Sequence, residues 1–253
     1  MSNFNVSRRN FLKSSSVAGA MSLSGFKALE TRDFETSQAS PMVLAQDKDF
    51  WADVASHYGV TDKITNLENG FYGIMAQPVK KAYFEKINFL NENNSYFVRR
   101  DYVSELQRIK ERVASFLNVR ADEIVLTRGA TETLQALIHN YNKLKPGDSV
   151  LYADLDYSEM KNAMRWLEHR KGVKPIKINY PEPASREAIL EMYERAFNEN
   201  PKIKMMLMTH LNNWTGQIPP VRQISDMARS RGIDVILDAA HSVGQVDFKM
   251  ADL

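Results

Sequence analysis

The chain has 253 residues, 43% of them hydrophobic and 25% charged, with a formal net charge of +2. That is enough apolar sequence for a sizeable core in one large domain or two small ones, and the charge does not point to nucleic acid. Cysteine is absent, which removes disulfides, thiolate metal sites and a thiol nucleophile from these residues and suits an oxidising compartment. No apolar run reaches the length of about eighteen residues that a membrane-spanning helix needs, so no stable span is expected.

The N-terminus reads as an address. Ser7-Arg8-Arg9-Asn10-Phe11-Leu12-Lys13 matches the twin-arginine export pattern S-R-R-x-F-L-K, and a small-residue, weakly apolar stretch follows from Ser14 to Phe26. Val43-Leu44-Ala45 offers small residues where a signal peptidase reads. Residues 1–45 are therefore expected to be a leader and the mature protein periplasmic. Without them the chain loses Arg8, Arg9, Lys13, Lys27 and Arg32 against Glu30, Asp33 and Glu35, so its formal charge falls to zero.

Residues 46–100 form a mixed N-terminal segment. Asp49 to Tyr58 suits a short helix, and Leu67 to Gly73 is a glycine-punctuated turn. Pro78 suits the first turn of a helix to about Asn91, with Val79, Ala82, Tyr83, Ile87 and Leu90 on one face and Asn91 to Ser95 breaking it. Arg99-Arg100 reads first as solvated surface. From residue 101 to 253 the chain alternates. Val103, Leu106, Ile109, Val113 and Phe116 mark a helix from Asp101 to Leu117. Then come a strand at Glu123–Thr127, a helix at Thr131–Leu144 with Leu134, Leu137, Ile138 and Tyr141 inward, and a strand at Ser149–Tyr152. A helix at Ser158–His169, a strand at Pro175–Ile178 and a helix at Ser185–Asn198 follow. The series ends with a strand at Ile203–Met208, a helix at Val221–Arg231 and a strand at Val235–Leu237. Such alternation predicts an α/β fold, a mostly parallel sheet with helices on both faces. Met205, Met206 and Met208 read as core filler.

The chemistry collects at the ends of these strands. In Thr127-Arg-Gly-Ala-Thr-Glu-Thr133, Gly129 is expected to permit a tight turn. Ala130 and Thr131 would then open a helix whose first N–H groups can cradle a phosphate. Thr131 serves equally as an ordinary helix cap. Tyr157 follows the next strand and can stack on a planar ligand or pack as a half-buried structural ring. Asn212, Asn213 and Trp214 follow the Ile203–Met208 strand, where they also fit simple turn chemistry. Asp238 ends the last apolar strand and is followed closely by His241. Open α/β sheets bind ligands at this edge, and an unpaired buried carboxylate is costly. A phosphate cradle, an aromatic plate, an Asn donor and a buried Asp together describe a site for pyridoxal 5′-phosphate (PLP), whose ring nitrogen the Asp would keep protonated. The alternative to this ligand is an unrelated α/β protein in which Asp238 and His241 serve a metal or act as base and acid, and no metal ligand set is assigned.

From about residue 60 onward, the ordered set resembles the fold-type I, class V aminotransferase superfamily, which includes isopenicillin N epimerase-like proteins and cysteine desulfurases. Thr-Arg-Gly-Ala-Thr-Glu looks like the phosphate segment. Asn-Asn-Trp-Thr-Gly resembles the family's N-N-x-x-G, and Asp-Ala-Ala-His-Ser-Val-Gly its D-[AG]-x-[QH]-S-x-G. The resemblance implies a PLP site with Ala130 and Thr131 at the phosphate, Tyr157 on the ring and Asn213 at the phenolic oxygen. It places Asp238 at the pyridine nitrogen and His241 beside the ring oxygen. It also implies an amino acid substrate for a transaminase, epimerase or lyase, and a homodimer when full length. The family's Schiff-base lysine lies in an S-x-H-K-like segment about a dozen residues past the Asp motif. It is expected beyond Leu253, so no catalytic residue is assigned among these residues and the 253-residue piece is expected to be inactive. A binding or dimerisation module on the same fold is the alternative.

Overall fold

A computed structural model describes residues 40–253. The twin-arginine segment and the stretch after it lie outside the described residues. The chain divides into two compact units, one ending at Ile124 and the other spanning Val125–Leu253.

The first unit is helical in its described part. Helix α1, Pro41–Gln46, is capped by Ser40, so Val43, Leu44 and Ala45 lie on a helical turn. Helix α2, Lys48–Ser56, starts at Asp47, whose carboxylate accepts the N–H groups of Asp49 and Phe50 at 3.0 Å each. That is the ordinary satisfaction of orphan donors at a helix start. Helix α3, Gln77–Arg100, packs against α4, Tyr102–Leu117. The break expected between Asn91 and Ser95 is a kink inside α3. Asn94 takes φ 30° and ψ −117°, and the helix resumes to Arg100. Asn tolerates positive φ better than most residues. Asn118 closes α4 in the left-handed conformation at φ 57°, its N–H returning to Ala114 and Ser115. Phe97 and Ala114 are buried, but the apolar stripes read from the sequence stay largely open, with Val103 73% and Val79 57% exposed.

The second unit is built on four parallel strands: β1 Ser149–Ala153, β2 Lys174–Ile178, β3 Ile203–Thr209 and β4 Asp234–Asp238, in spatial order β2-β1-β3-β4. The chain moves outward from β1 to β2, then back across to β3 and β4. With right-handed crossovers this places helix α6 (Ser158–Lys171) on one face of the sheet and helices α7 (Arg186–Glu199) and α8 (Val221–Ser230) on the other. The predicted α/β architecture with helices on both faces is thus present. Strand β1 is buried throughout and β3 nearly so, with Met205, Met206 and Met208 fully buried as core. At the β2 edge, Lys174 and Lys177 face solvent and Pro175 removes a donor, both of which discourage pairing with another chain.

The strand expected at Glu123–Thr127 is absent. Ala121–Glu123 forms a 3-10 turn, and the next residues run to the following helix without ladder partners, leaving Val125 81% exposed. A short apolar run becomes a strand only where a neighbour accepts its hydrogen bonds, and periodicity does not reveal that. Helix α5, Ala130–Asn140, stops four residues before the expected end. Its departure frees Tyr141, whose hydroxyl donates to Asp234 Oδ2 at 2.6 Å, and Lys143 meets the same oxygen at 2.6 Å. Asp234 is held below the usual carboxylate range, first by Lys143 and then by Tyr141. Leu137, expected inward, is 52% exposed, because α5 turns Leu134 and Ile138 to the sheet instead.

Leu134, Ile138, Val150, Tyr152, Met160, Met164, Leu167, Met205 and Leu207 form one packed cluster, with Ile236 against it. Alternate residues of a strand share a face. Positions 150 and 152, 205 and 207, and 236 therefore mark the face covered by α5 and α6. Leu167 is fully buried in this cluster. Leu167→Ala should destabilise the second unit by about 2–5 kcal/mol, measured as a lowered midpoint in urea at unchanged slope.

Candidate functional site

Strand parity decides where the chemistry lies. Thr209 follows Met205 and Leu207, and Asp238 follows Ile236, so both side chains project on the α5–α6 face. The register pairs Thr209 directly with Asp238. Helix α5 is anchored near the start of β4 by Tyr141, and at 1.5 Å per residue its eleven residues carry its N-terminus roughly 16 Å along the strand, to the Asp238 end. Ala130, Thr131 and Asp238 therefore share one rim and one face of the sheet.

At this rim the first N–H groups of α5 take no side-chain cap; Gly129 is the N-cap and Thr131 is the second helical residue. The reading of Thr131 as a cap is thereby corrected. Gly129 is extended at φ 172° rather than tightly turned, and a Cβ built there meets nothing within 4 Å. Its neighbours are fixed instead by side chains: Arg128 N–H and guanidinium both donate to Glu132, and Thr127 and Thr133 share a hydroxyl–hydroxyl bond of 2.6 Å. The turn exposes a helix N-terminus with uncommitted donors, which is anion-binding chemistry.

The loop after β1 carries Asp156 and Tyr157. Tyr157 is half-buried, N-caps α6 and packs on the core cluster. Asp156 is 2% exposed. Its Oδ2 accepts Ala153 N–H at 2.7 Å and its Oδ1 accepts the Thr209 hydroxyl at 2.7 Å. Burial pushes its pKa up to about 6, and the nearby charge of Asp238 pushes the same way. Asp238 is itself buried, with Oδ1 accepting Ala240 N–H at 3.0 Å. Burial raises its pKa, opposed by that N–H and by His241. Asp156 and Thr209 are thus bonded side chain to side chain, and Thr209 is the register partner of Asp238 on the adjacent strand.

The loop after β3 is organised by Asn212. Its Oδ1 accepts the N–H groups of Trp214 and Thr215 at 2.9 and 3.0 Å, and its Nδ2 donates to Leu155 O at 2.6 Å. Gly216 closes the turn at φ +69°, in the left-handed region that glycine enters freely. With both ends of the Asn212 amide engaged in structure, the half-buried Asn213 is the neighbouring amide left as a ligand candidate. His210 N–H donates to Asp238 O at 2.9 Å, and its ring Nδ1 lies 2.9 Å from the Oγ of the fully buried Ser242. Phe248 stacks edge-on against the His210 ring, and burial lowers the His210 pKa. The three strand-end loops are therefore tied to one another around Asp238, with His241 beside it.

The sequence singles out Ala130, Thr131, Tyr157, Asn213, Asp238 and His241, and the structure sets Ala130 and Thr131 at the start of α5, Tyr157 at the start of α6 and Asp238 at the end of β4. The sequence does not by itself single out Asp156, Thr209, His210 or Ser242, which the structure shows buried and bonded. An acidic residue three places past a buried strand's end is the available signal for Asp156. No group of three or more metal-ligating side chains occurs among the described residues, and no helix among them is long and apolar enough to cross a membrane.

A doubly wound parallel sheet with an uncapped helix start and a buried carboxylate at its carboxyl edge places the chain among α/β proteins, a class that takes ligands at this edge of the sheet. The family model for class V aminotransferases matches residues 79–253, and the chain belongs to that family. A probable cysteine desulfurase of Methanothermobacter thermautotrophicus is 26% identical over 175 residues, covering 67% of this chain and 42% of the relative. Isopenicillin N epimerase of Amycolatopsis lactamdurans is 22% identical over 209 residues, covering 80% of this chain and 51% of the relative. Among solved structures, the cysteine desulfurase CsdA from Escherichia coli superposes with a TM-score of 0.66 at 20% identity, over 79% of this chain and 51% of that one. A mutant of C-DES with glycine covalently linked to its PLP cofactor gives 0.64 at 19% identity, over 76% and 51%. The fold is that of these enzymes. The chain spans about half or less of the length of the relatives it matches.

Asn212→Ala should free two backbone donors and cut the tie to Leu155. A loss of about 1–3 kcal/mol is expected, with hydrogen exchange accelerated at Trp214 and Thr215 before the rest of the sheet.

Proposed function

We propose that this chain is the cofactor-holding portion of an exported, PLP-dependent class V aminotransferase-like enzyme acting on an amino acid as a transaminase, epimerase or lyase. The observation that carries the reading is the shared rim: the uncapped start of α5 and the buried Asp238 stand on one face of the sheet. The donor set fits the group. Free N–H groups and a hydroxyl suit a dianionic phosphate. A buried carboxylate suits a protonated ring nitrogen, since it would otherwise carry its charge at a cost. Tyr157 caps α6 at the same edge and supplies an aromatic face.

PLP, when bound, supplies an electron sink for the carbanion formed at an amino acid's α-carbon. This chain's residues do the holding. Ala130 and Thr131 would fix the phosphate by backbone N–H and hydroxyl. Tyr157 would cover the ring, and Asn213 and His241 would donate to its oxygen. Asp238 would keep a proton on the ring nitrogen, and its own burial strengthens that charge–charge contact by excluding water. The lysine and the substrate-binding groups are proposed to lie in sequence beyond Leu253, and the family membership supports a homodimer as the working form. A desulfurase is kept among the lyases by the similarity to cysteine desulfurases.

The test is a PLP titration followed by visible absorbance. Asp238→Asn should weaken PLP binding at least about tenfold, or about 1.4 kcal/mol, and alter the absorbance of the bound group. Unchanged affinity and absorbance would falsify the role of Asp238. Export is proposed on Ser7 to Lys13 alone. Replacing Arg8 and Arg9 by Lys should leave the protein in the cytoplasmic fraction at full precursor size, and undiminished arrival in the periplasm would show the leader misread.

A further inference from the structure

The segment from Asp238 to Ser242 is a short arch. Its two feet, Asp238 and Ser242, are buried, and its crown is open to solvent at Ala240. Inside the arch, Asp238 Oδ1 accepts the Ala240 N–H at 3.0 Å, and Ala239 O accepts the N–H groups of Ser242 and Val243 at 3.1 and 3.2 Å. Both feet are also held from outside the arch, and by the same residue. His210, directly after β3, donates its backbone N–H to Asp238 O at 2.9 Å, and its ring Nδ1 lies 2.9 Å from Ser242 Oγ. A short loop bonded at both ends has few ways to move, because the entropy of closing it is already lost.

The direction of the ring bond follows from the hydroxyl. Ser242 has one hydroxyl proton, and Ala239 O accepts it at 3.2 Å. Oγ is therefore the acceptor toward His210, and Nδ1 carries the ring proton. Burial lowers the His210 pKa, so the ring is neutral at physiological pH and this is its one N–H. The buried Phe248 meets the ring edge-on, with centroids 4.8 Å apart, and limits its rotation. His210 is itself buried, so its effect on a ligand at the rim passes through the arch.

We infer that His210 is a positioning residue for His241: it pins both feet of the Asp238–Ser242 arch, one by its backbone N–H and the other by its Nδ1–H, and so fixes the backbone that carries the His241 ring. The two feet do not depend on it equally. Asp238 is also held by the β4 ladder, where it pairs with Thr209. Ser242 lies outside the strands, and His241 is bonded directly to it in the chain. Release of the ring bond therefore loosens the His241 end first. That His241 then presents its donor to a cofactor's ring oxygen rests on the PLP reading; the clamp on the arch does not. The side chain of Asn212 and the ring of His210 thus share the work after β3, Asn212 holding the loop after β1 and His210 the loop after β4.

The experiment begins with the ligand-free full chain as wild type, His210→Leu, His210→Asn and Ser242→Ala. Nitrogen-15 NMR of the wild-type histidine rings should find the His210 proton on Nδ1; a ring protonated on Nε2 alone overturns the clamp. In His210→Leu and Ser242→Ala, amide hydrogen exchange at Ser242 and Val243 should speed up by about tenfold or more, while the β3 and β4 amides keep their protection. The side-chain N–H of His210→Asn stands near the place of Nδ1–H and should restore much of that protection. Exchange unchanged at Ser242 and Val243 overturns the clamp, and so does exchange that rises equally through the sheet, which is the mark of a merely structural ring. Should His210→Leu fail to fold, Ser242→Ala and the wild-type ring shifts decide. PLP affinity is then measured for Ser242→Ala with His241 present and with His241→Ala. The clamp variant should weaken binding about tenfold in the first background and less than about twofold in the second. Equal losses in both overturn the positioning of His241. A wild type that takes up no PLP overturns the functional reading, while ring shifts and exchange still decide the clamp.

Discussion

The second unit is arranged around a carboxylate that is taken out of water at the end of a strand. Burying Asp238 without partners would be expensive. The surrounding structure is largely the means by which that cost is met: a backbone N–H from Ala240, an adjacent His241, and the neighbouring strand held in register by the His210 N–H. The same constraint explains why three loops of different length converge. Asn212 fastens the β3 loop to the β1 loop, and His210 with Ser242 fastens it to the β4 loop. A site fixed by hydrogen bonds between loops is preorganised before any ligand arrives, which is what lets binding energy go to orientation rather than to ordering.

Two levels of description meet at Thr209. As the last residue of β3 it belongs to the ladder, and its place there follows from the apolar run before it. As a hydroxyl that donates to the buried Asp156, it ties that ladder to the loop after β1. A residue with both duties transmits the position of the sheet directly into the chemistry, with no flexible joint between them.

Much of this was legible in the sequence, for identifiable reasons. The runs at Ser149, Ile203 and Asp234 are apolar, short and bounded by polar residues, so β1, β3 and β4 fall where periodicity puts them. Asp238 stands out because a charge directly after a buried run has few other uses. The Glu123–Thr127 run has the same local look but lacks a partner, and pairing is not a local property. Asp156 was passed over because a polar residue just before a helix reads as capping, whereas its bonds go to β1 and β3. Asn212 and Asn213 are adjacent and chemically identical; only the folded structure shows that Asn212 is already engaged in the turn. Leu137 failed because helical spacing gives a stripe, while the width of the stripe that is covered depends on what lies opposite.

The bond from Tyr141 and Lys143 to Asp234 is made at one end of β4, and Asp238 stands at the other. Helix α5 is moored at its tail, while its head takes no side-chain cap. Changes at the mooring end are free to tune how firmly the helix is held, and hence how hot the protein can run, without altering a single group that faces the rim. Changes at the rim alter chemistry while the mooring keeps the scaffold in place. A four-strand sheet so divided lets durability and reactivity drift independently within a lineage, which suits a fold whose members act on different substrates.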